Sequence, residues 1–212
     1  PIAVANAAND ALLDFGAADD PARRGRYLTV IREQLAALGG MVQRILTMSV
    51  EEREEFTLRR ERFALGALLD ETAAKFRMKA RGRAEITVRV ESADLAVTAD
   101  RFHLGHVLDN LVDNALKYSG ERVSVLLAAR RTAKGVELRV ADDGIGMDRT
   151  AQAHIFEKFY RVPTGDRHDV KGFGLGLYYV RLIVTRHGGT VSVESSPGRG
   201  STFTLILPDE ER

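Results

Sequence analysis

The sequence predicts an α+β fold in two parts: an antiparallel helical hairpin in residues 1–52, followed by an α/β sandwich in residues 53–212. Between residues 21 and 50, apolar side chains recur every three or four positions, which is the heptad pattern of a packed helix. After residue 53, short segments with strand character are interspersed with helical ones. Most of these strands follow one another as hairpins, which favours a mixed sheet covered by helices on one face.

The two helices of the hairpin are separated by a helix-breaking segment. Gly16 ends the first helix, residues 2–15, and Asp20 caps the second helix, which begins at Pro21. The apolar stripe of the second helix is wider than one partner helix can bury. We therefore expect two copies of the chain to pair through residues 1–50 as a four-helix bundle. An ordinary buried helix of a monomer is the alternative that the sequence leaves open.

Composition excludes several classes of protein. The 212 residues carry a formal net charge of +1, which argues against a dedicated nucleic-acid surface. The absence of cysteine excludes disulfide bonds and thiolate chemistry, and fits a reducing compartment. No apolar run approaches the roughly 18 residues of a membrane span, and no signal peptide is visible. Because the sequence begins at Pro1 without a methionine, we expect a fragment of a longer protein.

A charged segment, "EEREEFTLRRER" (51–62), joins the two parts. Its mixed signs favour a solvated linker leading into an edge strand over a functional basic patch. Further elements follow in chain order. Helices are predicted at 65–80, 100–118 and 175–187, and strands at "EITVRVE", "LAVTA", "RVSVLLAAR", "GVELRVA" and in the closing hairpin "GTVSVESSPGRGSTFTLILP".

Two stretches carry side chains suited to a metal–nucleotide complex. In "LDNLVDNALKYSG" (108–120), Asn110 and Asn114 share one helix face, and Lys117 lies one turn further on. Such a face can ligate Mg²⁺ and neutralise phosphates, although a surface helix with ordinary amides has the same pattern. In "VADDGIGM" (140–147), Asp142 ends an apolar strand and could accept a hydrogen bond from an exocyclic amine. Gly144 and Gly146 let the backbone approach a flat ring, and a plain Asp-Gly turn is the equal alternative.

Two further stretches contain aromatic or glycine-rich patterns. "IFEKFYR" (155–161) places two aromatic residues three apart, with Lys158 and Arg161 beside them. A short helix that packs its aromatic side chains into the core explains this stretch equally well. "VKGFGLGLYYV" (170–180) has three glycines followed directly by a helix, so its backbone N–H groups could bind a phosphate. This loop lacks the Lys and Ser/Thr of a Walker loop, because Leu177 and Tyr178 come directly after the last glycine.

Together, in this order and spacing, the four stretches resemble the kinase core of bacterial sensor histidine kinases. These kinases belong to a wider ATPase/kinase superfamily with gyrase, the mismatch-repair ATPases and a heat-shock chaperone. "LDNLVDNALKYS" resembles the N box, "DDGIGM" the first glycine box, "IFEKFYR" the F box and "GFGLGL" the second glycine box. The resemblance covers residues 53–208 densely, and the helical hairpin matches the dimerisation and phosphotransfer domain more loosely.

The resemblance implies a role for individual residues. Asn114 would chelate Mg²⁺ with Asn110 beside it, and Asp142 would bind the adenine amine. Arg161 would assist at the γ-phosphate or contact the phosphotransfer helices, and "YRVPTGDRHDVK" would be the lid over ATP. The remaining implied contacts of the nucleotide are with Lys117, Tyr118, Gly144, Gly146, Gly172, Gly174, Gly176 and Leu177.

The same resemblance separates a kinase from a hydrolase. The superfamily's hydrolases carry a glutamate base four residues before the metal-binding asparagine, and here that position is Asn110. An amide cannot take a proton from water, and Asp109 points about 100° away on the helix. This pattern favours phosphoryl transfer to a histidine over an ATPase clamp of the gyrase or mismatch-repair type.

None of the five histidines fits the family's phosphoacceptor motif. "PIAVANAANDALL" is similar to the segment on the C-terminal side of that motif, so we expect the acceptor five residues before Pro1. The alternative is a regulatory dimer module that binds nucleotide and phosphorylates nothing. The kinase interpretation further implies a cytoplasmic core, a parent protein that can be anchored in the inner membrane, and a response regulator that receives the phosphoryl group on an aspartate.

Overall fold

The computed structural model describes residues 2–13, 20–52, 57–162 and 174–208. The chain divides into two compact units, Pro1–Glu54 and Glu55–Arg212. In the described part of the chain, none of the helices is both long and apolar enough to cross a membrane.

The first unit contains two helices that pack against each other, α1 (Ile2–Leu13) and α2 (Pro21–Glu52). The predicted start of the second helix is confirmed, because the Asp20 carboxylate accepts a hydrogen bond of 2.9 Å from the Ala22 N–H. The predicted stop at Gly16 lies outside the described residues. The antiparallel hairpin and its pairing with a second copy stay predictions.

The second unit alternates strands and helices much as the sequence predicts. Its elements are β1 (Glu61–Ala64), α3 (Leu65–Ala80), β2 (Ala84–Val90), β3 (Ala96–Ala99), α4 (Arg101–Lys117), β4 (Val123–Thr132), β5 (Gly135–Asp142), α5 (Arg149–His154), α6 (Gly176–Arg186), β6 (Thr190–Ser195) and β7 (Ser201–Leu207). The short helix α5 was not predicted from the sequence. The other helices of this unit begin and end within two residues of their predicted bounds.

The predicted mixed sheet is confirmed. Five strands lie in the order β2-β4-β5-β7-β6. Strands β2 and β4 are parallel, and the other neighbours are antiparallel. The strand predicted after the charged segment does not join this sheet, because β1 pairs with β3 in a separate two-stranded ribbon.

The core lies between one face of the sheet and helices α3, α4 and α6. Leu127, Leu138 and Leu205 sit on neighbouring strands of this face and are fully buried. On the opposite face, Arg130 and Glu137 form an ion pair of 2.7 Å. This alternation of apolar and polar positions is what a sheet covered on one side requires.

A buried polar network joins the start of α4 to the end of α6. The His187 ring, 4% exposed, accepts the Asp100 N–H at Nε2 (2.9 Å), and its Nδ1–H donates to the Ile183 carbonyl (2.8 Å). The backbone N–H can only donate, so the ring is neutral. The Asp100 carboxylate accepts the N–H groups of Arg59 (2.9 Å) and His103 (3.0 Å). Burial lowers the pKa of the His187 imidazole below its ordinary value.

This network makes stability depend on pH. In the unfolded chain the His187 ring takes up a proton near pH 6.5, whereas in the folded chain it does so only at lower pH. The unfolded state therefore binds more protons between these two values, so lowering the pH below 6.5 favours unfolding. We expect His187→Asn to flatten the fall in the free energy of unfolding between neutral and mildly acidic pH, measured by urea denaturation with circular dichroism.

His187→Asn also leaves buried groups without partners, so we expect it to lower the free energy of unfolding by about 1–3 kcal/mol at neutral pH. The matched control is His154→Asn, because the His154 ring is exposed and its Nδ1 lies 2.8 Å from a carboxylate oxygen of exposed Glu157. The control should keep the wild-type pH slope. An unchanged slope in His187→Asn would contradict the assignment of a neutral buried ring.

Candidate nucleotide-binding site

Helix α4 brings the first of the two predicted amides to the start of α6. Asn110 is half-buried, and its Nδ2 donates to the His106 carbonyl one turn earlier (2.8 Å). Its Oδ1 lies 2.6 Å from the point that a Cβ on Gly176 would occupy. Gly176 is the first residue of α6, so this glycine allows the helix to begin directly against the amide. The N box and the second glycine box are therefore adjacent in space.

Asn114 lies one turn after Asn110 on the same face of α4. Within the described part of the chain, its side chain is half-buried and has no hydrogen-bond partner, and no cluster of three acidic or histidine side chains forms a metal cage. Magnesium in phosphate-transfer sites is typically held by one or two protein oxygens together with phosphates and water. The amide oxygen of Asn114 fits that requirement.

The predicted cation Lys117 lies at the end of α4 and is already paired. Its Nζ forms an ion pair with Asp113, four residues earlier. Tyr118 follows as the C-cap, with its N–H donating to the Asn114 carbonyl (2.9 Å). Burial raises the pKa of the Tyr118 phenol, and the nearby Arg161 charge opposes that effect. Exposed Arg161 is thereby placed near the end of α4.

Asp142 ends β5 and is half-buried. Its Oδ1 accepts the Gly144 N–H at 2.9 Å. Burial raises the pKa of the Asp142 carboxyl, hydrogen bonds from the Gly144 and Ser201 N–H groups oppose the rise, and the Asp143 charge adds to it. The carboxylate therefore sits in a poorly solvated position, where a hydrogen bond from a ligand amine is worth more than in water.

The loop after Asp142 is tied to the end of α4. The Ile145 N–H donates to the Tyr118 carbonyl (2.9 Å). A Cβ on Gly144 would lie only 2.6 Å from that same carbonyl oxygen, so the loop approaches α4 backbone to backbone. The first glycine box and the N box, which are separated along the chain by strands β4 and β5, are thus joined directly.

The closing hairpin supports the same loop from the other side. Gly146 has φ +66°, and a Cβ there would overlap the Ser196 carbonyl. The Gly198 N–H donates to the Ile145 carbonyl (2.7 Å). The Ser195 hydroxyl accepts the Met147 N–H and donates to the Gly200 carbonyl, both at 2.8 Å. This role of Ser195 was not predicted, and the tight turn "SSPGRG" is the sequence signal that could have indicated it.

The F box, residues 155–161, does not form the short helix that was the alternative interpretation of this stretch. The helical turn is α5, before the motif, and residues 155–162 are irregular. Phe156 packs edge-on against Phe203, whereas Phe159 is 63% exposed with φ +65°. The Phe159 N–H donates to the Gly174 carbonyl (2.9 Å). This bond joins the segments on either side of the predicted lid.

Of the predicted lid, "YRVPTGDRHDVK" (160–171), the structure describes only residues 160–162. Residues 163–173, including Gly172, lie outside the described residues. Gly174 has φ +67° and a Cβ there would lie 2.6 Å from the Phe159 carbonyl carbon, so the two backbones are in close contact. Leu177 is half-buried in the first turn of α6.

Comparison with known proteins shows the family and the fold. Residues 99–211 match the family of histidine kinase-, DNA gyrase B- and HSP90-like ATPases. The sensor protein RprX of Bacteroides fragilis is 34% identical over 211 residues, which are 98% of this chain and 41% of the relative. Because the family model covers more than half of its residues, the chain belongs to this ATPase family.

Two solved structures have the same fold. Full-length ShkA in complex with AMPPNP superposes with a TM-score of 0.72 at 29% identity, over 86% of this chain and 38% of ShkA. The histidine kinase ThkA in complex with the response regulator TrrA superposes with a TM-score of 0.69 at 27% identity. The superposition covers 91% of this chain and 54% of the solved chain. The predicted resemblance to sensor histidine kinases is confirmed at the level of family and homologues. The chain spans about half, or less, of the length of these relatives.

The backbone contact at Gly146 predicts a sharp sensitivity to a single methyl group. We expect Gly146→Ala to lower the free energy of unfolding by about 2 kcal/mol or more, because it combines a left-handed φ with an overlap against the Ser196 carbonyl. Urea denaturation with circular dichroism measures the change.

Gly120→Ala is the matched control, because a Cβ at Gly120 has open space and this glycine is not in the left-handed region. Its effect should lie within about 0.5 kcal/mol of zero. Equal stabilities of the two variants would contradict the close approach of the loop and the hairpin.

Proposed function

We propose that the chain is the ATP-binding kinase core of a sensor histidine kinase, and that it binds Mg-ATP and transfers the γ-phosphoryl group to a histidine. One arrangement carries this proposal. The Asp142 loop, the amides of Asn110 and Asn114, and the start of α6 at Gly176 all meet along the C-terminal half of α4. A half-buried acceptor, two amide oxygens and a helix N-terminus together suit an adenine base, a metal and a polyphosphate.

The base-binding side of the proposed site is formed by the loop after β5. Asp142 accepts a hydrogen bond from the adenine amino group, and its poorly solvated position strengthens that bond. Gly144 and Gly146 bring bare backbone close to the ring. Tyr118, half-buried at the end of α4, forms a wall of the pocket.

The phosphate side is formed by α4 and the start of α6. Asn114, with Asn110 beside it, would offer amide oxygens to Mg²⁺, and the ion would supply positive charge against the phosphates. Lys117 and Arg161 add positive charge on this side. The remaining proposed contacts are with backbone and side-chain atoms of Gly172, Gly174, Gly176 and Leu177.

A kinase is favoured over a hydrolase because the acidic side chains of this stretch of α4 are engaged elsewhere. Asp109 forms an ion pair of 2.5 Å with Lys75 on α3. Asp113 is bound by both Lys79 and Lys117. Asn110 occupies the position where the hydrolases carry a base, and its amide cannot accept a proton from water.

The proposed acceptor is a histidine upstream of Pro1. Its imidazole nitrogen attacks the γ-phosphorus, the N–P bond forms as the bond to the β-phosphate oxygen breaks, and ADP leaves. The phosphoryl group then passes to an aspartate of a response regulator, and the complex of ThkA with TrrA supports such a partner. On this proposal the core works on the cytoplasmic side, where ATP and the regulator are present.

Homodimerisation through residues 1–50 is part of the same proposal. Leu28, Leu35 and Val42 of α2 are seven residues apart in sequence, so they lie on one face of the helix. Each is 47–59% exposed in the single chain. An exposed heptad stripe of this kind is typical of a helix that packs against a second copy.

The proposed adenine contact predicts the effect of removing one charge. We expect Asp142→Asn to raise the dissociation constant for ATP about tenfold or more, since a hydrogen bond to a charged acceptor is worth about 1.5–3 kcal/mol. The preference for ATP over GTP should fall with it. Isothermal titration with each nucleotide measures both quantities, and thermal melting confirms that the variant is folded.

Asp143→Asn is the control, because the neighbouring Asp143 carboxylate is exposed and accepts the Ser124 N–H (2.8 Å). It should change ATP affinity less than about twofold. Unchanged ATP affinity in Asp142→Asn would contradict the assignment of the adenine site.

A further inference from the structure

Two ion pairs of nearly identical geometry lie side by side between α3 and α4. Lys75 pairs with Asp109 and Lys79 pairs with Asp113, each at 2.5 Å. Both lysine side chains are 58% exposed, and both ammonium groups lie over the Phe76 ring, at 5.6 Å and 5.2 Å. As contributions to packing α3 against α4, the two pairs are equivalent.

Only the second pair reaches the candidate site. The Asp113 Oδ1 binds Lys79, while its Oδ2 binds Lys117 four residues later on α4. Asp109 has no such neighbour, because the residue four positions after it is Asp113 itself. A continuous chain of charges, Lys79–Asp113–Lys117, therefore runs from the α3 surface to the end of α4.

The carboxylate in the middle of this chain is held in its charged form. Each of its two oxygens is bound by an ammonium group, Oδ1 by Lys79 and Oδ2 by Lys117. Asp113 therefore presents a full negative charge to two cations. How strongly it holds Lys117 depends on how far Lys79 neutralises it.

We propose that Asp113 is a positioning residue for Lys117, and that Lys79 sets how much of the Lys117 charge is available to the phosphates of a bound nucleotide. This inference rests on the proposed function, because it assumes that Lys117 faces the phosphates of ATP. With Lys79 present, Asp113 is partly neutralised. It then holds Lys117 in place and leaves most of the Lys117 charge available to the phosphates. Without Lys79, Asp113 binds Lys117 more strongly and leaves less of the Lys117 charge available to the phosphates.

The test compares Lys79→Met with Lys75→Met. At low ionic strength, where such charges are least screened, we expect Lys79→Met to raise the dissociation constant for ATP about threefold, a size typical of partly exposed pairs. Affinity for adenosine, which has no phosphate, should not change. Lys75→Met should alter neither affinity, and Lys79→Arg should retain wild-type ATP binding.

A double variant separates positioning from a general effect of charge. In the Lys117→Met background, Lys79→Met should have no further effect on ATP affinity, because the cation through which it acts is gone. Isothermal titration gives the affinities, and thermal melting before each titration checks that Lys79→Met and Lys75→Met lose similar stability.

Two results would overturn the inference while leaving the proposed function intact. One is equal ATP affinity in Lys79→Met and Lys75→Met, and the other is an undiminished effect of Lys79→Met when Lys117 is absent. Failure of the wild-type chain to bind ATP would overturn the proposed function, and this inference with it.

Discussion

The site depends on a contact between bare stretches of backbone. Gly146 leaves no side chain between its loop and the Ser196 carbonyl, and Gly200 leaves none between the closing hairpin and the Asp142 carbonyl. From the other side, the Ile145 N–H bonds to the end of α4. Three segments from distant parts of the chain are thereby held together, and the Asp142 carboxylate occupies a position that none of them could define alone.

Helix α4 sorts its polar side chains by face. Asp109 and Asp113 turn toward the lysines of α3 and are neutralised there, whereas Asn110 turns toward the start of α6. Asn114 follows Asn110 by one turn. Amides are therefore available to a metal and phosphates, and the two carboxylates of this stretch are not available to activate water. On the proposed function, this division favours transfer to a protein nucleophile over hydrolysis.

The type and the bounds of those elements that have a clear apolar periodicity were predictable from the sequence. The helix predicted at 100–118 agrees to within a residue at each end with α4, Arg101–Lys117, in which Leu108 and Leu111 of the predicted apolar face are buried. Through the family resemblance, the sequence also predicted that the four stretches belong to one site.

Contacts between elements were not predictable from local pattern. Phe159 is exposed in a left-handed conformation against Gly174, β1 pairs with β3 outside the main sheet, and Lys79 of α3 binds Asp113 of α4. For Phe159 and for β1, a neighbour distant in sequence decides the outcome. For Lys117, the carboxylate that binds it is itself placed by a lysine of another helix.

Transfer of a phosphoryl group to histidine can be tested by the chemical stability of the labelled product. A longer form of the chain, extended upstream of Pro1, would be incubated with Mg²⁺ and γ-labelled ATP, and the labelled protein then treated with acid and with base. We expect a label that is lost in acid and kept in base, as a phosphohistidine is. Intact ATP binding with no label would contradict it and would leave a nucleotide-binding regulatory dimer.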